Sequence, residues 1–187
     1  MDEIEINAWN DFARDLKKRV RWDGEKIEWA LISALNVLPT LQEEERAELL
    51  KIGRVVAERS SKLAVTFLRI APQAISVVDS SCRMTFLRWA AIFASQSRET
   101  LIDFLEKSPE ILRAFAKNEC AIFLHHGLHL AWQDWSLSFK YFLNLPRIRK
   151  EVPWEKFPLW FEQGLSLVRK SLPAAMAYYG LESKHSQ

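Results

Sequence analysis

Three histidines lie within five residues of one another, in the segment HHGLH that begins at His125. On an α-helix, residues three and four apart share a face, so His129 lies beside both His125 and His126. Imidazoles at this spacing bind zinc and other transition metals. The segment has no HExxH glutamate, however, and no second cluster of ligands accompanies it. The three histidines are candidate metal ligands, but we predict a surface or boundary role for them, with no metal and no cofactor.

The remaining reactive side chains do not form a catalytic pattern. Nucleophilic catalysis requires a cysteine or serine beside a base, and Cys120 stands five residues before His125, too far round a helix to meet it. Cys82 has no histidine nearby in the sequence, and the acidic run Glu43–Glu45 is typical of a solvated helix start. We therefore predict that the protein is not an enzyme and that the two cysteines are separate thiols, as in a reducing compartment.

Two short basic runs give the chain a candidate surface for nucleic acid. They comprise Lys17, Lys18, Arg19, Arg21, Arg147, Arg149 and Lys150. The 187 residues include 26 basic and 24 acidic side chains, a bias too small to make a polyanion the default partner. The tryptophans that could stack on bases fall on apolar helical faces, which predicts packing in the core. These tryptophans are Trp9, Trp22, Trp29, Trp89 and Trp160. Nucleic-acid binding is therefore the alternative function.

A second candidate surface is aromatic. Trp132 and Trp135 flank Asp134 at a predicted turn between helices. Because protein interfaces are enriched in tryptophan, an exposed pair would be an anchor for a partner protein. The same side chains could instead pack on a neighbouring helix, and the sequence leaves both interpretations open.

The elements that position these side chains follow a spacing of 37 residues, which we call the 37-residue register. Pro72, Pro109 and Pro146 stand 37 residues apart. Nineteen residues before each is a small residue, and that series continues once more, giving Gly53, Ala90, Gly127 and Gly164. Apolar side chains three and four residues to either side complete one stripe of a helix. A second helix is predicted to begin seven residues after the small residue, because every side chain there is an N-cap type. These side chains are Ser60, Ser97, Asp134 and Ser171.

The prolines need a separate explanation. A proline in mid-helix removes a hydrogen bond and clashes with the carbonyl four residues earlier. We therefore predict that Ser108 caps a short third helix over Pro109–Phe115, and that the other units end in the same way. Before the first full unit, residues 5–20 and 25–37 are predicted to form two helices, and Thr40 to cap the helix that follows.

Together these patterns predict an all-α fold, a short right-handed α-solenoid of the HEAT or TPR kind with about four repeats. Residues 1–38 would form N-terminal capping helices, residues 39–183 the repeats and residues 184–187 a frayed tail, all within a single domain. No apolar run is long enough to span a bilayer, and the first residues lack a signal-peptide pattern. We therefore expect no membrane span and a cytoplasmic location.

Two stretches share a finer pattern of a Leu-x-x-Gly helix, a bulky pair that begins with an aromatic residue and a proline, and the first stretch also has a serine between the helix and the pair. The first stretch contains Leu50–Gly53, Val56–Ala57, Ser60, Phe67–Leu68 and Pro72. The second contains Leu124–Gly127, Leu130–Ala131, Tyr141–Phe142 and Pro146. This pattern resembles the helical repeat that precedes the von Willebrand A domain of NorD/CoxE-type proteins, although HEAT-like repeats share its period. The sequence shows no DxSxS motif of the A domain itself.

The resemblance implies an accessory or assembly factor that works with a MoxR-type AAA+ ATPase. Taken with the predicted fold, our leading functional prediction is a non-enzymatic scaffold that binds another protein. The sequence does not identify that partner.

Overall fold

The computed structural model describes residues 3–20 and 24–181, and these residues form helices without any strand. The helices are α1 (Glu3–Arg19), α2 (Gly24–Val37), α3 (Glu43–Arg59), α4 (Ser61–Ser76), α5 (Arg83–Gln96), α6 (Arg98–Arg113), α7 (Lys117–Gln133), α8 (Trp135–Glu151), α9 (Phe157–Val168) and α10 (Leu172–Tyr178). One-turn 3-10 helices precede α3, α5 and α9. The all-α prediction is confirmed for this part of the chain. Predictions for Arg21, Trp22 and the tail 184–187 fall outside the described residues.

The helices divide into two compact units, Met1–Arg113 and Ala114–Gln187. In the first unit, α2, α4 and α6 pack side by side as one layer, and α1, α3 and α5 pack as a second layer. In the second unit, α7 packs against α8 and α9, and α9 packs against α10. Within each unit the helical pairs therefore stack in chain order.

A single residue makes the turn between paired helices, an arrangement that we call the one-residue corner. At the first such corner, the Ser60 N–H donates to the Val56 carbonyl at 3.0 Å, and the Ser60 carbonyl accepts from the Ala64 N–H. The Ser60 hydroxyl accepts from the Leu63 N–H at 3.2 Å, which satisfies a donor that the new helix would leave unpaired. The same arrangement recurs at Ser97 and Asp134. In the pair α9–α10, Ser171 makes the equivalent hydrogen bonds, although residues 169–171 separate the two helices. All four predicted N-caps are confirmed.

The second helix of each pair begins at a constant spacing along the chain. The first residues of these helices are Gly24, Ser61, Arg98, Trp135 and Leu172, each 37 positions after the one before. The pair α1–α2, predicted as a separate capping element, thus follows the same register. The sequence conceals this, because Leu16 and Leu35 stand where the register places a small residue and a proline.

The prolines lie inside helices, so the prediction of a short third helix opened by Pro109 is wrong. Helix α6 continues through Pro109, and α4 and α8 continue through Pro72 and Pro146 in the same way. Each proline leaves the carbonyl four residues earlier without its usual N–H donor. The helices therefore continue past each proline despite the missing backbone hydrogen bond.

Packing beyond the proline explains why α6 continues. The Ser108 side chain does not cap a new helix, because its hydroxyl donates to the Phe104 carbonyl at 2.6 Å within α6. After Pro109, Ile111 and Leu112 are buried. Burying two such side chains contributes about 3–6 kcal/mol, which offsets the cost of about 3 kcal/mol for a proline in a helix.

The predicted N-cap at Thr40 is also wrong. Thr40 ends a 3-10 turn, and Gln42 is the N-cap of α3. The Gln42 N–H donates to the Glu45 carboxylate at 2.8 Å. Glu45 is only 3% exposed and lies 3.7 Å from the Arg83 guanidinium. The prediction of a solvated acidic run is therefore wrong for its last residue, Glu45, whose carboxylate is buried and links α3 to α5.

Small residues of the register mark close contacts between helices. A Cβ added to Gly53 would lie 3.0 Å from the Phe67 ring. A Cβ added to Gly164 would lie 2.2 Å from the Tyr179 ring. Tyr179 is buried, and its hydroxyl donates to the Phe161 carbonyl at 3.3 Å, so the ring has little room to move aside.

Replacing Gly164 with alanine should destabilise the protein by about 1–3 kcal/mol, because the added methyl group overpacks against Tyr179. Gly24→Ala is the matched control, since a Cβ there meets nothing within 4 Å among the described residues. Urea unfolding followed by circular dichroism measures both variants. Equal unfolding midpoints would show that Gly164 is not at a close contact.

Candidate binding surfaces

The HHGLH segment lies in the second half of α7, where its three rings have different surroundings. The His126 ring stacks on Phe161 of α9, with 3.7 Å between ring centroids and 21° between planes. The His125 and His129 rings meet edge to face at 4.5 Å, and His129 also contacts Trp132. Within residues 3–20 and 24–181, no three histidine, cysteine or acidic side chains are grouped so that they could hold a metal ion. The stacked His126 instead joins α7 to α9.

Burial lowers the pKa of two of these histidines, His126 and His129. Burial, followed by repulsion from His125 and His129, lowers the pKa of His126 from 6.5 to about 4. Burial and the charge of His125 also lower the pKa of His129. His126 is therefore neutral at pH 7, and its ring is a flat, uncharged partner for Phe161.

Neither cysteine forms a disulfide within the described residues, and both are buried. Cys82 belongs to the first unit and Cys120 to the second. Because both thiols are shielded from solvent, the two cysteines lack the exposure that is typical of reactive cysteines.

The arginines of the second basic run stabilise the second unit. Through Nη2, Arg147 donates to the carbonyls of Tyr179 and Gly180, at 3.1 and 2.7 Å, just after the end of α10. Arg149 donates to a carbonyl at the start of the unit at 2.8 Å and pairs with Glu119 at 3.0 Å. Both guanidinium groups are therefore engaged in the fold.

The first basic run is partly engaged as well. Lys17 pairs with a glutamate of α2, and Lys18 pairs with an aspartate one turn earlier on α1. Arg19 donates to a carbonyl of α3 at 3.0 Å. Arg21 lies outside the described residues, and Lys150 of the second run is exposed. Nucleic-acid binding by these residues stays a prediction.

Trp132 and Trp135 flank the one-residue corner at Asp134. Trp132 exposes 60% of its surface and meets His129 edge-on at 5.1 Å. Trp135, the first residue of α8, is half-buried. Trp132 is therefore available as an anchor, whereas Trp135 is partly used in packing.

A groove of about 440 Å³ lies between α2 and α4 in the first unit. One stripe from each helix lines this α2–α4 groove. The lining comprises Lys26, Trp29 and Ala30 of α2, Lys62, Val65, Thr66 and Arg69 of α4, and Val20. Three of these side chains are cationic and none is acidic. The groove thus combines an aromatic ring, aliphatic side chains and positive charge.

Trp29 is an exposed side chain of this groove, so the prediction that it packs in the core is wrong. It exposes 72% of its surface, and Ile32, one turn further along α2, exposes 51%. Trp9 and Trp89 are buried, as predicted, and Trp160 is partly buried. The first unit therefore presents two large apolar side chains to solvent on one helix.

The 37-residue register contains a signal for this exposure. Steps of 37 residues from Trp29 reach Thr66, Asp103, Lys140 and Ala177, none of which is buried. Steps from Ile32 reach Arg69, Glu106 and Leu143, all of which are exposed. Extending the register to the pair α1–α2 would therefore have placed both side chains in columns that face solvent.

None of the described helices is both long enough and apolar enough to cross a membrane. Comparison of the chain with protein-family models, with curated proteins and with solved structures gives no match. The resemblance to the NorD/CoxE-type repeat therefore stays a prediction, and the surfaces described above are the basis for assigning a function.

Protonation of His126 should destabilise the protein in mildly acidic solution. Because its folded-state pKa lies below the unfolded value of 6.5, the stability that the neutral ring provides is complete above that pH and is lost as the pH falls toward 4. We expect a loss of about 1–2 kcal/mol, because part of the ring meets solvent and the effect of burial is reduced.

Urea unfolding at about pH 7 and about pH 4.5 tests this expectation. The variant His126→Phe should keep the ring stack and lose less stability over this interval than the wild type. His125→Gln should retain most of the wild-type dependence, since burial is the largest cause of the pKa shift of His126. An equal pH dependence of stability in the wild type and in His126→Phe would show that protonation of His126 is not the cause of the acid destabilisation.

Arg147→Gln should destabilise the second unit by about 1–2 kcal/mol, because two carbonyls lose a charged hydrogen-bond donor. Lys150→Gln, at an exposed position of the same helix, should change stability by less than about 0.5 kcal/mol. Thermal unfolding measures both variants. Similar effects of the two substitutions would mean that the Arg147 hydrogen bonds do not support the fold.

Proposed function

We propose that this protein is a non-enzymatic helical-repeat scaffold of the α-solenoid kind and that it binds another protein. Support for the repeat comes from the three one-residue corners, the equivalent cap at Ser171, the constant spacing of the second helices and the stacking of pairs in chain order within each unit. Repeats of this type present neighbouring helix stripes as extended binding surfaces.

The exposure of Trp29 and Ile32 is the observation that carries the binding role. Because Trp29 and Ile32 leave at least half of their surface uncovered, the first unit gains little from packing them, yet they expose surface that water disfavours. Adjacent exposed apolar groups of this kind mark interaction sites, and tryptophan is prominent among the side chains that dominate binding energy. Trp132 is a second candidate anchor, in the other unit.

Nucleic-acid binding through the two basic runs has less support. Arg147 and Arg149 are engaged in the second unit, and Lys17 is paired with a glutamate. The partnership with an AAA+ ATPase that the family resemblance implies stays a prediction, because no surface feature of the described residues points to that class of partner.

Trp29→Ala should remove the partner protein without unfolding the chain. One protein should co-purify from native cells with the tagged wild type. Its affinity for Trp29→Ala should be at least about 30-fold lower, which corresponds to a loss of about 2 kcal/mol of binding free energy. Trp132→Ala tests the second candidate anchor, since it removes an exposed tryptophan from the other unit.

Circular dichroism and thermal unfolding of each variant separate loss of binding from loss of folding. Partner binding that survives Trp29→Ala in a folded protein would contradict the proposal for this surface. Loss on Trp132→Ala alone would move the binding site to the second unit.

A further inference from the structure

We propose that the α2–α4 groove binds an acidic amphipathic helix of the partner protein. This inference rests on the proposed function and specifies the chemistry of the partner. It combines the shape of the groove, the exposed tryptophan at its side and the sign of its charge.

The shape of the groove fits a helix. Its lining side chains recur at helical spacing on both sides, at positions 26, 29 and 30 of α2 and at positions 62, 65, 66 and 69 of α4. Two such stripes on packed helices form the seat into which the ridge of a third helix fits. Amphipathic helices bind in grooves of this type through apolar side chains spaced three or four residues apart.

The apolar part of the groove requires an apolar stripe on the occupant. Trp29 is mostly exposed, Val65 is half-buried and Ala30 is buried beneath them. A leucine or phenylalanine of the partner could cover the Trp29 ring and remove it from water. This contact is the source of affinity, whereas the cations select the sequence of the occupant.

Two cations on α4 favour an occupant that carries negative charge. Lys62 and Arg69 are both exposed, and neither forms an ion pair with a carboxylate of the described residues. They are seven residues apart on one helix, which places them about 10 Å from each other along its axis. Carboxylates seven residues apart on a partner helix would match this separation.

The positive charge is particular to α4 and is not imposed by the 37-residue register. The positions equivalent to Lys62 and Arg69 on α6 are Glu99 and Glu106, and both are exposed. The register therefore accepts either sign at these two columns. A pair of cations beside an exposed tryptophan is thus a property of this groove and points to an acidic occupant.

A nucleic acid fits the same groove less well. Glu25 and Glu28 are exposed on α2 at either side of Lys26. A phosphate backbone needs a continuous positive track, which α2 does not supply, whereas a helix with two carboxylates needs only the two cations of α4. The aliphatic lining and Ile32 also provide apolar contact that a helix uses and a phosphate backbone does not.

Fluorescence anisotropy with labelled 18-residue peptides tests the inference on the full chain. The probe is a helix with leucines at i, i+3, i+4 and i+7 and with glutamates seven residues apart beside them. One twin carries glutamine and another carries lysine in place of each glutamate. A single-stranded oligonucleotide is the fourth probe. We expect the acidic peptide to bind at least about tenfold more tightly than either twin, and more tightly than the oligonucleotide.

Two variants and a control locate the binding. Trp29→Ala should weaken the acidic peptide by about 30-fold, and the double change Lys62→Glu with Arg69→Glu by at least about tenfold. The control is Lys107→Glu with Arg113→Glu, which changes the net charge equally at exposed positions of α6. It should bind the acidic peptide as the wild type does. Circular dichroism checks that each variant is folded.

The contrary outcomes are distinct. Equal binding of the glutamine and glutamate peptides, with loss on Trp29→Ala, would overturn the acidic partner and leave the proposed function standing. Tighter binding of the oligonucleotide, lost on the charge reversal at α4, would assign the groove to nucleic acid. Concentration-dependent self-association that the same charge reversal abolishes would make a second copy of this chain the occupant. No binding of any probe would also overturn the inference, whereas the proposed function depends on co-purification of a partner.

Discussion

The one-residue corner is the constraint on which the rest of the structure depends. Its residue ends one helix with its N–H, begins the next with its carbonyl and caps it with its side chain, as Ser60 and Asp134 do. No loop remains in which the geometry of the pair could vary. The corner thus fixes the geometry within a pair, and the second helices also start at a constant spacing of 37 residues. Successive pairs within a unit then stack through contacts such as those of α2 with α4 and of α3 with α5.

The corner also explains which parts of the fold the sequence predicts. An N-cap depends on amides two or three residues away, so the short polar side chain and its spacing are visible in the sequence. The fate of Pro109 depends instead on the burial of Ile111 and Leu112, which comes from packing that no local pattern contains. Glu45 is comparable: its acidic neighbours predict a solvated helix start, and its contact with Arg83 on another helix buries it.

The candidate binding surfaces also differ in how well the sequence predicts them. The basic run at Arg147 and Arg149 resembles a ligand site in sequence, yet both guanidinium groups are bonded to carbonyls that lie more than thirty residues away. Trp29 resembles a core residue, because apolar residues at helical spacing are usually buried. Its position relative to the corner contradicts this, since the equivalent residues of the other pairs are not buried. Sequence reasoning fails at Trp29 and misses the contacts of the two arginines with the fold, because it assigns side chains by type before the register is complete.

A register of this kind separates the side chains that hold the fold from those that are free to bind. Corners and apolar stripes repeat because stacking requires them, so a side chain that matches its equivalents needs no further explanation. Trp29, Ile32 and the cations at 62 and 69 differ from theirs, and they occupy columns that stacking does not use. Packing does not require such residues at these positions. An exposed tryptophan ring is also unfavourable for the isolated protein, because its apolar surface meets water. Their concentration along α2 and α4 matches the occupant that we propose, because its apolar and acidic side chains would complement the residues that depart from the register.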